Sequence, residues 1–167
     1  MCIRDSFSGD KLFAGPQAGI IAGRADLVAA CGAHPLARAL RPGGLVLAAL
    51  QATTLAYLDR RATTDLPFWT MVAASTDSLR GRAEQLVTRV PGAAIVDTDA
   101  LPGAGSAPGA TIASIGIAID GDHLAVLRAA DPPIIARARD GRTILDLRSV
   151  LPADDDHVGR ALISVTS

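Results

Sequence analysis

Hydrophobic and polar positions change their spacing several times along the chain, and each change marks an element. Gly19 to Gly23 (Gly-Ile-Ile-Ala-Gly) is a short apolar run between glycines, which predicts a buried strand. Asp26 to Ala33 takes a helical spacing. His34-Pro35 ends it, because proline disfavours helix in the residue before it. Pro35 opens a further helical turn carrying Leu36 to Arg41. Leu45 to Arg61 is the strongest helical segment, with Leu47, Leu50, Thr54, Leu55 and Leu58 in helical period after Gly43-Gly44. Ala62 to Pro67 is a polar link, and a domain boundary is expected there, residues 1–62 forming one part and 63–167 another. Phe68 to Arg89 reads as mostly helical, Ala93 to Asp97 and Thr111 to Ile119 as strands, and Asp122 to Ala130 as a short helix stopped by Pro132-Pro133. Ile134 to Arg139 and Thr143 to Leu147 form a predicted hairpin across Asp140-Gly141, a turn dipeptide. Ala153 to Ser164 is a closing helix whose first turn holds Asp154 to Asp156, where carboxylates favour the helix dipole. This order predicts a C-terminal α+β unit with a largely antiparallel sheet.

The N-terminal end fits this pattern poorly. Met1 to Ser6 shows no cap, strand or helix pattern before a glycine-rich stretch begins. The segment reads as a truncated reading frame whose first residues are an assembly or start-site artefact.

Composition narrows the classes. Of 167 residues, 49% are hydrophobic and only 3% aromatic, so the core must be aliphatic. The net charge of −1 excludes a basic nucleic-acid binder or an acidic tail as a description of the whole chain. No apolar run reaches the roughly 18 residues of a membrane helix, and Met1 to Gly9 lacks the apolar segment of a signal peptide. A cytoplasmic protein without a membrane partner is the expectation. Cys2 and Cys31 match no metal-binding or redox spacing and are expected to be free thiols.

The candidate chemistry lies between Phe7 and Gly19. Ser8, Gly9, Asp10, Lys11, Gly15, Pro16 and Gln17 form a loop rich in small residues, where glycine permits close backbone approach. Lys11 is the only lysine; the other basic residues are arginines. Only a primary amine condenses with an aldehyde, so a lone lysine on such a loop points to Schiff-base chemistry.

The stretch FSGDKLFAGPQAGIIAGRADLV resembles the cofactor-lysine segment of the bacterial L-seryl-tRNA(Sec) selenium transferases, whose usual form is Ser-Gly-Asp-Lys-Leu-Leu-Gly-Gly-Pro-Gln-Ala-Gly. HPLARALR, GSAPG and PPIIARARDGRTILDLRSVLPADDD match further on, so the resemblance runs from Phe7 to the C-terminus. It implies an α/β fold of the aspartate-aminotransferase type (fold type I of the pyridoxal-phosphate enzymes), with the end of the large cofactor domain followed by the small C-terminal domain. It implies pyridoxal 5'-phosphate (PLP) held on Lys11, which would act as acid and base beside Asp10. Arg38 and Arg41 would bind the anionic donor; three apart on a helix, they would share a face and form a fork for an oxyanion. The implied reaction replaces the seryl hydroxyl with selenium from selenophosphate, turning seryl-tRNA(Sec) into selenocysteinyl-tRNA(Sec). A homo-oligomer, a ring built from dimers, is implied as well. The family's tRNA-recognition domain, phosphate cup and ring-stacking residues have no counterpart here, so the chain alone is expected to be inactive. Departures fall at Phe13, Ala14, Pro42-Gly43-Gly44 and Leu101 to Gly109.

Other readings stay beside this one. A related PLP lyase acting on a small amino acid or amino sugar would share the lysine loop, and a non-catalytic assembly domain or a gene remnant would need no chemistry. Ser8-x-x-Lys11 lacks the Lys-Thr-Gly element of penicillin-recognising enzymes. Gly103 to Gly109 has its third glycine misplaced for a nucleotide loop. Asp97/Asp99, Asp154 to Asp156 and the scattered His34, His123 and His157 fit no metal spacing, and no metal is expected. The arginines of the C-terminal half alternate with aspartates, as on a mixed solvated surface.

Overall fold

The computed structural model describes residues 4–103 and 105–166; the readings of Met1 to Ile3 and of Cys2 lie outside the described residues. The chain forms two compact units, Met1–Thr70 and Met71–Ser167.

In the first unit, β1 (Arg4–Ser8) and β2 (Gly19–Gly23) form an antiparallel pair running from Arg4↔Gly23 to Ser8↔Gly19. No strand was expected before the glycine-rich loop. The segment carries no clear apolar alternation of its own, and pairing with β2 supplies what local propensity does not. β2 has its expected place but is largely exposed rather than buried, with Ile21 at 43%. Among the described residues it pairs with β1 alone.

Next come α1 (Ala25–Ala33), α2 (Pro35–Ala39), α3 (Gly44–Leu58) and α4 (Ala62–Asp65), the last a single turn inside the expected polar link. His34 is the N-cap of α2: its Nδ1 accepts the Leu36 N–H at 3.2 Å, and Pro35 sits in the first turn, where its missing N–H costs nothing. α2 stops at Ala39, so Arg41 is not on the helix as expected. Pro42 gives the reason, since the residue before a proline is pushed out of the helical region. α3 buries Thr53 and Ala56, whereas Leu47, Leu55 and Leu58 of the expected apolar face are exposed. A helix that is apolar on every side offers no periodicity from which to choose a face.

α5 (Pro67–Ala73) and α6 (Thr76–Val87) replace the single helix predicted over 68–89. The break has a polar cause: the Ser75 hydroxyl caps α6 by accepting from Ser78 N–H at 3.2 Å. The second unit's sheet is entirely antiparallel, with order β3-β4-β6-β5 for β3 (Ala94–Ala100), β4 (Ile112–Asp120), β5 (Arg137–Arg139) and β6 (Arg142–Asp146). The β5–β6 turn is Asp140-Gly141, both at positive φ (54° and 73°), as a two-residue hairpin requires. α7 (Leu124–Arg128) and α8 (Asp155–Thr166) complete the unit.

Its core is aliphatic, as the composition demanded. Leu79, Ala83 and Leu86 of α6 and Val158 and Leu162 of α8 pack with Ile115, Ile117 and Ile119 of β4. Helical and alternating spacings thus meet on one set of buried positions. Arg148, only 5% exposed, stitches this unit together. Its Nη1 donates to the carbonyls of Met71, Val72 and Ala74 at 2.9, 3.0 and 2.7 Å, and Nη2 donates to Ala113 O at 2.7 Å. A cation thus serves the orphan carbonyls at the end of α5.

No helix among the described residues is long and apolar enough to cross a membrane.

Candidate active-site loop

Gly9 to Ala18 joins β1 to β2 and carries Lys11. Two backbone bonds close its base: Gly9 N–H donates to Ala18 O at 2.8 Å, and Gly15 N–H to Gly9 O at 2.7 Å. Between them Ala14 N–H donates to Lys11 O at 2.8 Å, making a tight turn with Lys11 at its start. Gly9 is buried, and a Cβ there would lie 2.6 Å from Pro16 O, so the close approach requires glycine. Ala14 sits at φ 59°, a left-handed conformation that costs a non-glycine residue about 1–2 kcal/mol.

Lys11 points outward, its side chain 58% exposed, and its Nζ pairs with Asp10 Oδ2 at 2.9 Å. The Ser8 hydroxyl donates to Asp10 Oδ1. Hydrogen bonds from Ser8 and then Lys11 hold the Asp10 carboxyl below the usual carboxylate range. The arrangement is an accessible primary amine with a carboxylate fixed beside it as an anion. Such a pair can neutralise, accept or return a proton at Nζ. It also fits the aldehyde end of PLP, which needs one reachable amine and a neighbouring group to move its proton.

The loop is supported from below by residues that the sequence reading did not single out. Tyr57 of α3 stacks on Phe13 with ring centroids 5.2 Å apart, and Phe13 meets Phe7 edge-on at 6.2 Å. Tyr57 Oη donates to Phe13 O at 2.9 Å and receives the Trp69 indole N–H. Lys11 and Tyr57 are far apart in sequence, and no local pattern links them.

Arg38 and Arg41 do not form one helical face. Arg38 lies in the last turn of α2 and Arg41 two residues beyond its end; both are exposed. Among the described residues neither guanidinium is hydrogen-bonded or ion-paired, so neither meets Lys11 or Asp10 through such a bond. Arg41 lines an open groove of about 1290 Å³ together with Ser8, Cys31, His34 and the apolar Phe7, Ile20 and Leu40; Arg38 does not. Cys31 is a free thiol. Among the described residues no cluster of three or more potential ligands could hold a metal ion.

Known proteins align with the whole of this arrangement. The family model described as SelA: L-seryl-tRNA selenium transferase matches residues 4–151. The L-seryl-tRNA(Sec) selenium transferase of Moorella thermoacetica is 42% identical, the match covering 95% of this chain and 37% of that protein. Those of Hyphomonas neptunium and Aquifex aeolicus are 39% and 35% identical, over 89% and 97% of this chain and 35% and 38% of theirs. The chain therefore spans somewhat over a third of the length of the curated relatives it matches. Among solved structures, D-glucosaminate-6-phosphate ammonia-lyase superposes with a TM-score of 0.68, covering 98% of this chain and 43% of that one at 23% identity, a likeness of fold alone. The fold is accordingly the expected α/β type, that of the fold type I PLP enzymes. With the lysine loop, the segment through α2 and the C-terminal hairpin all inside the matched span, the chain belongs to the L-seryl-tRNA selenium transferase family.

Proposed function

We propose that this chain is the cofactor-lysine segment and small C-terminal domain of an enzyme that converts seryl-tRNA(Sec) to selenocysteinyl-tRNA(Sec) with PLP, taking selenium from selenophosphate. The observation that carries the reading is the exposed Lys11 amine beside an ionised Asp10 on a glycine-closed loop, in a chain 35–42% identical to proteins of that name. Residues to about Ala62 form the tail of the large cofactor domain, and the rest the small domain. PLP, when bound, supplies an electron sink that eases loss of the substrate's α-proton. Lys11 Nζ is the amine that would hold the cofactor through its aldehyde carbon and would carry the α-proton. Asp10 accepts a hydrogen bond from that amine at 2.9 Å and fixes its direction.

Arg38 and Arg41 bind the anionic donor. Exposed around the end of α2 and, among the described residues, unpaired, both guanidiniums are free to take phosphate oxygens. The partners are seryl-tRNA(Sec), selenophosphate and further copies of the protein in a dimer-based ring, and the compartment is the cytoplasm. A lyase acting on a small amino sugar shares the fold, but a likeness at 23% identity supports nothing beyond that.

The test is selenium transfer by the intact gene product that carries this chain, given PLP, seryl-tRNA(Sec) and selenophosphate. Wild type should make selenocysteinyl-tRNA(Sec); Lys11→Ala and Lys11→Arg should not, and Arg38→Ala or Arg41→Ala should raise the selenophosphate requirement. Full activity in Lys11→Ala, or ammonia release from an amino sugar acid without selenium transfer, would overturn the reading.

A further inference from the structure

We propose that Tyr57 is the positioning residue of the Lys11 loop, its hydroxyl setting where the Lys11 amine is presented. This rests on the reading of Lys11 as the cofactor amine. The loop has two faces. On the open face, among the described residues, the Lys11 amine pairs only with Asp10, and both side chains are at least partly exposed. On the closed face, the two residues that follow Lys11 hang on Tyr57. Its Oη is 2.9 Å from Phe13 O and 3.3 Å from Leu12 O, and its ring stacks on Phe13 at an interplanar angle of 19°.

The hydroxyl has one proton to give. The Trp69 indole N–H is a donor only, so by occupying a lone pair of Oη it leaves that proton directed at the loop carbonyls. Ring and hydroxyl therefore act separately. The ring fills space against Phe13, and the hydroxyl fixes the main chain one to two residues after Lys11. Thr53 and Leu50, one and two turns earlier on α3, lie against Gly15 and Gly9. The same helix thus supports the loop at both ends, and Tyr57 is its residue that hydrogen-bonds the Lys11 side. Removing only the hydroxyl should free that side while leaving the packing intact.

The test uses the full chain and needs no cofactor. Lys11 is the sole lysine, so reductive ¹³C-methylation yields its signal together with that of the N-terminal amine. Tyr57→Phe keeps the ring and should leave the thermal transition near that of wild type. It should nevertheless move and narrow the Lys11 methyl resonance towards that of a free lysine, and speed amide exchange at Ala14 at least about fivefold, the worth of one ordinary hydrogen bond. Trp69→Phe removes only the donor to Oη and should shift the same resonance in the same direction by less. It also serves as the second variant should Tyr57→Phe fold poorly. A Lys11 resonance and Ala14 exchange unchanged in both variants would overturn the proposal. If the variants move the resonance while wild type takes no PLP label at Lys11, the positioning stands and the cofactor reading falls.

Discussion

Substituting Gly9 by alanine places the loop geometry under direct strain. A Cβ at Gly9 would stand 2.6 Å from Pro16 O and 3.2 Å from Leu50 Cδ2. The first contact is with backbone, and both backbones are already tied: Gly9 N–H to Ala18 O at 2.8 Å and Gly9 O to Gly15 N–H at 2.7 Å. Ordinary contact begins at 3.4 Å, so the two strands of the loop must part by about 0.8 Å and weaken those bonds. Overpacking of this kind costs about 1–3 kcal/mol. Gly19→Ala is the internal control, because nothing lies within 4 Å of a Cβ there; its effect should stay within about 0.5 kcal/mol. The single tryptophan, Trp69, belongs to the first unit and reports its unfolding by fluorescence. With a urea slope of about 1–3 kcal/mol per molar, Gly9→Ala should lower the midpoint by roughly 1 M while Gly19→Ala leaves it in place. Coincident curves for the two variants would refute the closure of the loop around Gly9.

The other expectations concern both units. Ala14→Gly should stabilise the first unit by about 1 kcal/mol in the same urea assay, because it relieves a left-handed alanine; a loss would show that Ala14 is not strained. Arg148→Met should cost the second unit about 3–5 kcal/mol, leaving four carbonyls without their cation. Far-UV circular dichroism would show this as a fall of more than about 10 °C in Tm, and a fall of under 2 °C would contradict it. Asp10 titrates below the ordinary carboxylate value of about 3.9. Its depressed folded pKa means that its contribution is present above the unfolded pKa and is lost as pH falls through the folded one. The ¹³C-methyl signal of Lys11 should therefore hold steady down to about pH 4 and shift only below it, and Asp10→Asn should abolish that shift.

Legibility varied with how local the deciding interaction was. The β5–β6 hairpin could be read from Asp140-Gly141 because the turn's conformational demand falls on those two residues. The lysine loop could be read from its glycines and its lone lysine. The end of α2 was written in Pro42 and the start of α6 in Ser75, both local signals that a longer helical pattern overrode. The buried face of α3 could not be read, since leucines surround the helix and only tertiary contact, such as that of Thr53 with the loop at Gly15, decides which side turns inward. β1 depends on β2, and Arg148 on carbonyls up to 77 residues away. The support that Tyr57 gives to Phe13 likewise spans 44 residues and exists only in the fold.

The proposed function stands or falls with Lys11 as the cofactor amine. The intact gene product that carries this chain, mixed with PLP, reduced with borohydride and mapped by peptide mass, tests it most directly. A phosphopyridoxyl adduct is expected on the peptide containing Lys11 and should be lost in Lys11→Ala. A folded protein that binds PLP but takes the adduct elsewhere, or that takes none at all, would contradict it.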